Sequence, residues 1–420
     1  MQLSAFGQKF SAESGIVTLM EDLGAALNDN PDILFMGGGN PARIEALEQL
    51  FKQRLDTILG DRETRHSLLG VYQSPQGDAA LLEQVAGLLK QQHGWNISAS
   101  NVAIANGSQA AFFVLFNLFA GLQNDGSRKQ IQLPLAPEYL GYGDSGLSNP
   151  FFTATKPTIE LLEQQQFKYH VDFERLEVNT DSAALCVSRP TNPTGNVLTD
   201  SEIQQLDALA QAQDIPLIID GAYGTPFPNI IFESATAHWN SNTILVLSLS
   251  KLGLPGARTG FVIANEAVIE AYTRANTIVN LACGNLGTAL AKALFSDGEI
   301  LRSSNQIVKP FYQARVEHAL ECCQRELAGL PYRIHKPEGA IFLWLWFEDL
   351  PITSQQLYQQ LKAEGLLVVP GEPFFVGLNA AEKQQWRHHQ ECIRVSYAQP
   401  PEVVEQGFRL IAKTIRQAYR

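Results

Sequence analysis

IPLIIDGAY at residues 215–223 and TILVLSLSK at 243–251 are short apolar runs that end in polar residues. Both are rich in β-branched residues without an apolar–polar alternation, which is typical of strands buried on both faces of a parallel sheet. Similar runs lie further out along the chain: NVAIAN (101–106), QIQLPL (130–135), AALCVSRP (183–190) and RTGFVIAN (258–265). The pattern predicts an α/β domain with a large, doubly wound and mostly parallel sheet.

Two further patterns complete the expected architecture. DSEIQQLDALAQAQD (200–214) reads as a capped amphipathic helix between two of the strands, with Thr199 or Asp200 at its start and Glu202 in its first turn. From about residue 290 helical segments alternate with strand-like ones such as AIFLWLWF (340–347), an order typical of a smaller α+β domain. We predict a large domain over 51–295 and a small one formed by 1–50 and 296–420.

The composition limits the kinds of partner and compartment. The 420 residues include 31 basic and 43 acidic side chains, a formal net charge of -12. Because an acidic surface repels nucleic-acid phosphates and anionic lipid, we expect neither nucleic acid nor a membrane as a partner. The five cysteines form no CxxC pair, and the first residues lack the basic and apolar segments of a signal peptide. These features predict a cytoplasmic protein.

Polar residues follow the predicted strands where each one ends. The carboxyl ends of parallel strands meet at one edge of a sheet, where open α/β domains bind their ligands. Any one of these groups alone is more simply a turn or a helix cap, but five of them converging on one edge predict a ligand site. They occupy residues 106–109, 137–139, 189–193, 220–223 and 248–251.

These residues match what the cofactor pyridoxal phosphate requires of a protein. Lys251 supplies an amine for a Schiff base with its aldehyde, and Asp220 supplies a carboxylate that keeps its ring nitrogen protonated. Desolvation lowers the pKa of a lysine, and only the neutral amine attacks an aldehyde. The other expected contacts are Tyr223 and Asn192 at the phenolic oxygen, Gly107, Ser108, Gln109, Ser248 and Arg258 around the phosphate, and Tyr139 stacked on the ring.

Three motifs in order carry a resemblance to a known family: NPTG at 192–195, DGAY at 220–223 and SLSKLGLPGARTG at 248–260. With these motifs the chain resembles the class I aminotransferases, which are pyridoxal-phosphate enzymes of fold-type I. The resemblance implies that Lys251 is the Schiff-base residue and that Arg258 binds the phosphate. It also implies that Tyr72, in GVYQSPQG, reaches the phosphate of a neighbouring subunit, and hence a homodimer with shared active sites.

The resemblance extends to the substrate end of the site. Arg394 in ECIRVSYA matches the family's arginine for the substrate carboxylate, and an arginine fork suits that group because it forms two parallel hydrogen bonds. Gly38 and Gly39 in MGGGNPA match the glycine turn beside the substrate. No second arginine is clearly placed for a distal carboxylate, and the candidate lining is apolar: Phe342, Trp344, Trp346, Phe374 and Phe375. We therefore expect small amino acids and 2-oxo acids as substrates.

The whole chain resembles the branch of this family that exchanges the amino group between valine and pyruvate, which would give 3-methyl-2-oxobutanoate and alanine. LGVYQSPQG, SRPTNPTGNV and HKPEGAIFLWLWF carry this finer likeness. The core residues also serve aminotransferases of other small or aromatic amino acids, and a β-elimination lyase. A transcription regulator with an aminotransferase-like domain would need a basic DNA-binding segment, for which the motifs leave no room. His388, His389 and Cys392 lack a fourth ligand nearby, so we predict no metal site.

Overall fold

A computed structural model describes residues 2–12, 15–30 and 32–420 of the chain. The α-helices of this part, α1 to α14 in chain order, are Ala5–Phe10, Gly15–Asp29, Glu45–Gly60, Arg62–Gly70, Ala79–His93, Ser108–Phe119, Asp200–Ala212, Glu266–Asn280, Asn285–Phe295, Glu299–Ser303, Lys309–Glu326, Ser354–Ala363, Ala380–Gln385 and Pro401–Ala418. Short 3₁₀ turns occupy Ala99–Asn101, Leu140–Tyr142, Ser250–Leu252, Pro255–Ala257, Glu372–Phe374 and Arg387–Gln390, and a π-helical turn occupies Ser304–Val308.

The strands of the described residues are numbered in the same way. Strands β1 to β16 are Leu34–Phe35, Val102–Ala105, Gly121–Leu122, Arg128–Leu133, Phe152–Ala154, Thr158–Leu161, Gln166–His170, Ser182–Ser188, Leu217–Asp220, Thr243–Ser248, Gly260–Ile263, Tyr332–His335, Phe342–Phe347, Leu366–Leu367, Val369–Pro370 and Cys392–Ser396. Each of the six apolar runs named above overlaps one of these strands, and four of the runs contain the whole strand.

The large sheet has the order β2-β11-β10-β9-β8-β4-β3, with β5 also paired to β4. Strands β4, β8, β9 and β10 run parallel to one another, whereas β11 is antiparallel to both of its neighbours. Every residue of β8, β9 and β10 is buried, because helices cover both faces of the sheet. The predicted doubly wound, mostly parallel sheet is confirmed.

Helix α7 shows how local sequence sets the boundaries of an element. The side chain of Thr199 accepts a hydrogen bond from the backbone N–H of Glu202, and the carboxylate of Glu202 accepts one from the backbone N–H of Thr199. This reciprocal capping satisfies two backbone donors that a helix leaves free at its start. The helix therefore begins where the sequence predicted.

A second, six-stranded sheet has the order β15-β16-β13-β12-β7-β6. It is antiparallel apart from the β12–β7 pair, and it takes β6 and β7 from the middle of the chain. Strand β1 pairs with β14, which brings the glycines of residues 37–39 beside the C-terminal strands. The division of the chain into a large domain over 51–295 and a small domain over 1–50 and 296–420 stays a prediction. Among the described residues, no helix combines the length and the apolar character that a bilayer crossing requires.

Candidate active site

A cavity of about 350 Å³ opens at the carboxyl ends of β8, β9 and β10. This is the edge of the sheet where the sequence predicted a ligand site. Its lining residues come from several elements that are distant in sequence: Met20, Ser108, Gln109, Phe112, Tyr139, Ser188, Pro190, Asn192, Asp220, Ala222, Tyr223, Ser248, Ser250, Lys251 and Arg258. The structure thus brings together the predicted lysine, aspartate, tyrosines and phosphate-binding residues.

Lys251 lies in the 3₁₀ turn directly after β10 and is partly buried. Its Nζ donates a hydrogen bond of 2.5 Å to the carbonyl oxygen of Gly39 and lies 5.4 Å from the centre of the Tyr223 ring. Burial lowers the pKa of Lys251 to about 8, with a further lowering from the positive charge of Arg394 and an opposing effect of Asp220. About a tenth of this amine is therefore neutral at pH 7, far more than for an ordinary lysine.

Asp220 ends β9 and is buried against the floor of the cavity. Its Oδ2 accepts a hydrogen bond of 2.7 Å from the hydroxyl of Tyr142, and its Oδ1 accepts one of 2.9 Å from the backbone N–H of Ala222. Burial raises the pKa of Asp220, while these hydrogen bonds and the charge of Lys251 act in the opposite direction. The two hydrogen bonds thus hold the carboxylate in one orientation in the same cavity as Lys251.

The N-terminus of α6 and Arg258 form a cluster of donors at one end of the cavity. Gly107 precedes the helix with a φ of 84°, and a Cβ at this position would lie 2.4 Å from Nη2 of Arg258. A side chain at 107 would therefore displace the arginine. The free N–H groups of the first turn, the hydroxyls of Ser108 and Ser248, and the guanidinium of Arg258 are a donor set that fits a phosphate group.

Two aromatic residues border the space between this cluster and Lys251. The rings of Tyr139 and Tyr142 meet edge to face with their centres 5.4 Å apart. The ring of Tyr139 also lies over Gly141, where a Cβ would approach it to 2.5 Å. Tyr223 is buried, which raises the pKa of its hydroxyl well above the usual value, so this group remains a hydrogen-bond donor at neutral pH.

Arg394 lies on β16 next to the cavity. Its Nη1 donates a hydrogen bond of 2.8 Å to Oδ1 of Asn192, and its Nη2 donates one of 2.8 Å to the carbonyl oxygen of Gly37. The guanidinium carbon lies 4.0 Å from the ring centre of Phe342 and 5.1 Å from that of Phe374. Burial lowers the pKa of Arg394 to about 10, so the group keeps its charge at neutral pH. Its buried Nε has no hydrogen-bond partner among the described residues.

The remaining predicted residues have different positions. A Cβ at Gly38 would lie 2.4 Å from the Phe35 ring, so the glycine turn is closely packed there. Tyr72 is not part of the cavity: its side chain is 81% exposed, in a separate surface groove of about 810 Å³. The apolar side chains proposed as a lining do not line the cavity, since Phe342 and Phe374 contact Arg394 instead. The other three pack in the small sheet: Trp344, Trp346 and Phe375.

Two residues of this site were not predicted from the sequence: Tyr142, which supports Asp220, and Met20 of α2, which covers the cavity from outside. Glu138 belongs to the predicted group 137–139 but had no role assigned to it, and it is a buried acid behind Tyr139. The spacing PEYLGY at 137–142 could have drawn attention to Glu138 and Tyr142, because it places a third polar side chain one turn after Tyr139. No local pattern signals that α2, far away in sequence, lies over the cavity.

Comparisons with known proteins agree with this geometry. The family model described as aminotransferase class I and II matches residues 146–411. The chain is 49% identical over 419 residues to the valine–pyruvate aminotransferase of Escherichia coli (strain K12), an alignment that covers 100% of this chain and 99% of that protein. The match therefore extends over both sheets and over the glycines, Tyr72 and α6, which lie outside the family model.

Solved structures of similar sequence have the same fold. A putative amino-acid aminotransferase from Psychrobacter arcticum 273-4 is 44% identical with a TM-score of 0.96, covering 100% of this chain and 99% of that one. The valine–pyruvate aminotransferase of Salmonella typhimurium LT2 is 48% identical with a TM-score of 0.88, covering 97% of this chain and 100% of that one. The predicted fold-type I architecture is confirmed. The chain belongs to the class I and II aminotransferases.

Proposed function

We propose that this aminotransferase exchanges the amino group between valine and pyruvate, giving 3-methyl-2-oxobutanoate and alanine. The observation that carries the proposal is the cavity that Lys251 and Asp220 both line, with Asn192 of the same lining bound to the guanidinium of Arg394. The 49% identity with a valine–pyruvate aminotransferase over the full length supports this choice of substrates.

Pyridoxal phosphate, the cofactor of class I aminotransferases, supplies an aldehyde that accepts the amino group and a ring that takes up the electron pair of the broken Cα–H bond. Lys251 would hold it covalently, and Asp220 would keep a proton on its ring nitrogen. Ser108, Gln109, Ser248 and Arg258 would bind its phosphate at the N-terminus of α6. Two observations support the placement of the phosphate at this end of the cavity: the cluster of donors there, and the lack of room for a side chain at Gly107 beside Arg258.

Lys251 also has a part in the proton transfers. Once released from the cofactor, Nζ of Lys251 would be the base that accepts the Cα proton of the substrate, because its pKa of about 8 leaves part of the amine neutral. The same Nζ would hold this proton and return it later in the half-reaction. Because the cofactor would carry the amino group from the donor to the acceptor keto acid, the same residues would serve two half-reactions in turn, which is a ping-pong cycle.

Arg394 would bind the α-carboxylate of both substrates. A keto acid and an amino acid share this carboxylate, so one guanidinium serves both half-reactions. The Nε, which has no partner among the described residues, and the two Nη groups would donate hydrogen bonds to this carboxylate. The rings of Phe342 and Phe374 exclude water around the guanidinium. Asn192 and the carbonyl oxygen of Gly37 hold the guanidinium, and Gly37 directly precedes Gly38 and Gly39 in the glycine turn.

The distribution of charge supports a small apolar side chain on the substrate. Among the described residues that line the cavity, the basic ones are Lys251 and Arg258, and both have roles toward the cofactor. A distal carboxylate would thus enter a region without a cation of its own, next to Met20 and Phe112. Burying an unpaired carboxylate is costly, so dicarboxylic amino acids are disfavoured.

The exposed groove at Tyr72 supports a homodimer with shared active sites. Val71 lines this groove. Further exposed apolar side chains lie at the end of α4, in the last turn of α8, in the link after it and at the start of α9: Leu69, Ile278, Val279, Leu281 and Leu286. A large exposed apolar surface is typical of a protein–protein interface. Tyr72 lies outside the cavity of its own chain, which fits a role at the phosphate of the neighbouring subunit. Analytical ultracentrifugation should give a dimer.

We also propose a cytoplasmic location. All five cysteines are buried and carry free thiols, as expected in a reducing compartment.

A panel of donors and acceptors tests the proposed reaction. The holoenzyme is assayed with valine, alanine, glutamate or aspartate as donor, and with pyruvate, 3-methyl-2-oxobutanoate or 2-oxoglutarate as acceptor. Valine with pyruvate should give the highest kcat/KM, and aspartate and glutamate values at least about tenfold lower. Lys251→Ala should be inactive with every pair. Ammonia released from an amino acid without a keto acid would instead indicate a β-elimination lyase.

A further inference from the structure

Glu138 is a fully buried acid in the wall of the candidate active site, and the proposed mechanism does not use it. It follows β4, and its side chain is 0% exposed. Its Oε1 accepts a hydrogen bond of 2.8 Å from the backbone N–H of Ser188. Its Oε2 accepts one of 2.5 Å from the Ser188 hydroxyl and one of 3.1 Å from the backbone N–H of Tyr139. None of the ion pairs in the described part of the chain includes Glu138.

The partners of this carboxyl group are parts of the cofactor site. Both Ser188 and Tyr139 line the cavity, and Ser188 is the direct neighbour of Asp220 in the β8–β9 pair. The backbone N–H of Glu138 donates a hydrogen bond of 2.9 Å to the carbonyl oxygen of Phe374, the residue whose ring packs on Arg394. Glu138 therefore contacts three parts of the site: Ser188 beside Asp220, the backbone of Tyr139, and Phe374, whose ring packs on Arg394.

The surroundings of Glu138 favour its uncharged form. A buried carboxylate without a cationic partner is costly, and Asp220 already brings a negative charge to this region. Burial, with a smaller contribution from Asp220, raises the pKa of Glu138 to about 8, against the hydrogen bonds from Ser188 and Tyr139. The other titratable groups facing it are Tyr142 and Cys186, and the pKa of each is raised well above its usual value. Tyr142 and Cys186 are thus neutral at pH 7.

We propose that Glu138 is a positioning residue of the cofactor site. In its uncharged form Oε1 accepts from the backbone N–H of Ser188, and the proton on Oε2 is donated to the Ser188 hydroxyl oxygen, beside the backbone N–H of Tyr139. The acid thus holds this part of the wall in place beside Asp220 without adding a second negative charge there. The proposal rests on the proposed function, since it takes the cavity to be the pyridoxal phosphate site. The role of Glu138 requires a side chain that forms hydrogen bonds and carries no charge. A glutamine at position 138 should therefore perform the same role.

The test measures the dissociation constant of pyridoxal phosphate from the visible absorbance of the cofactor-free protein titrated at pH 7. Glu138→Gln keeps the size, an acceptor for the backbone N–H of Ser188 and a donor toward the Ser188 hydroxyl, and should bind within about threefold of wild type. Glu138→Leu fills the space but offers no acceptor, and should bind roughly tenfold more weakly, or about 1.4 kcal/mol. If the leucine variant does not fold, Glu138→Asp replaces it, because the shorter acid withdraws from Ser188 and should weaken binding similarly.

Glu391→Leu is the matched control for loss of a buried acid. Glu391 is also buried, directly before β16, where its Oε2 accepts a hydrogen bond of 2.9 Å from Nε1 of Trp346 and its Oε1 pairs with Arg387 at 3.1 Å. This variant should lower the midpoint of thermal unfolding but leave the cofactor affinity unchanged. A folded Glu138→Leu or Glu138→Asp protein with wild-type affinity would overturn the proposal, as would a Glu138→Gln protein that binds as weakly as the leucine variant. Either result leaves the proposed function intact, whereas a wild-type protein that binds no pyridoxal phosphate would overturn both.

Discussion

The hydroxyl of Tyr142 donates a hydrogen bond of 2.7 Å to Oδ2 of Asp220 inside the protein. Tyr142 ends the 3₁₀ turn Leu140–Tyr142, and its ring packs between Phe112, Phe116 and Tyr139. Because the ring is fixed by this packing, the donor is fixed as well. The orientation of the aspartate thus depends on a residue 78 positions earlier in the chain.

Tyr142→Phe should lower kcat for valine with pyruvate roughly tenfold, with little change in KM. The substitution removes one hydrogen bond to a charged group, worth about 1.5 kcal/mol, and leaves the packing of the ring in place. Steady-state kinetics of both substrates give the two constants separately. Tyr272→Phe is the control, since the buried hydroxyl of Tyr272 has no partner among the described residues. An equal loss of activity in both variants would contradict a specific role of Tyr142.

Cofactor loading should become faster as the pH rises through about 8, the pKa of Lys251 in the folded protein. Only the neutral amine attacks an aldehyde, and its fraction increases with pH until the group is fully deprotonated. The measurement is the rate at which visible absorbance appears after pyridoxal phosphate is added to the cofactor-free protein at a series of pH values. A midpoint near 10.5, the value of an ordinary lysine, would show that the cavity does not lower this pKa.

Arg394→Ala should raise KM for valine and for pyruvate alike, by roughly 10- to 150-fold, because charged hydrogen bonds contribute about 1.5–3 kcal/mol. The physical reason is that both substrates present the same carboxylate to the same guanidinium. Arg333→Ala is a control in the same sheet, since Arg333 pairs with Glu348 away from the cavity. If only one of the two KM values rose, Arg394 would not be the shared carboxylate site.

The free energy of unfolding should fall as the pH drops below about 6.5, partly because of His388. Burial lowers the pKa of His388 to about 3, with a smaller effect of His389, whereas the unfolded chain has the ordinary value of 6.5. The unfolded state therefore binds the extra proton between these values, and at pH 5 this one group costs about 2 kcal/mol of unfolding free energy. Unfolding by a chemical denaturant at pH 7 and at pH 5 gives the two free energies of unfolding and therefore their difference.

His388→Gln should reduce that pH dependence, because glutamine does not titrate. The side chain of His388 contacts the hydroxyl of Tyr169 and packs on Trp346, so the variant is expected to be less stable at pH 7. The difference in unfolding free energy between pH 7 and pH 5 should nevertheless be smaller than in wild type. An unchanged difference would assign the pH dependence to other buried groups, such as His335, whose pKa is also lowered.

Much of the large domain was predictable from local sequence. Strands buried on both faces, such as β8 and β9, need continuous β-branched runs, and the cap of α7 needs a threonine followed by a glutamate three residues later. These requirements act over a few residues, so they are visible in the chain itself. The same holds for Lys251 and Asp220, because the ends of neighbouring parallel strands are necessarily close together.

The sequence by itself determined the parallel sheet, the edge at which the ligand site lies and the residues of its lysine and aspartate. Only the tertiary structure decided that Tyr142 supports Asp220, that Phe342 and Phe374 enclose Arg394 and that Trp344 belongs to the core. The reason is physical: these contacts join residues far apart in the chain through packing. Whether an aromatic side chain lines a cavity or fills a core depends on its neighbours in space, which no local pattern specifies.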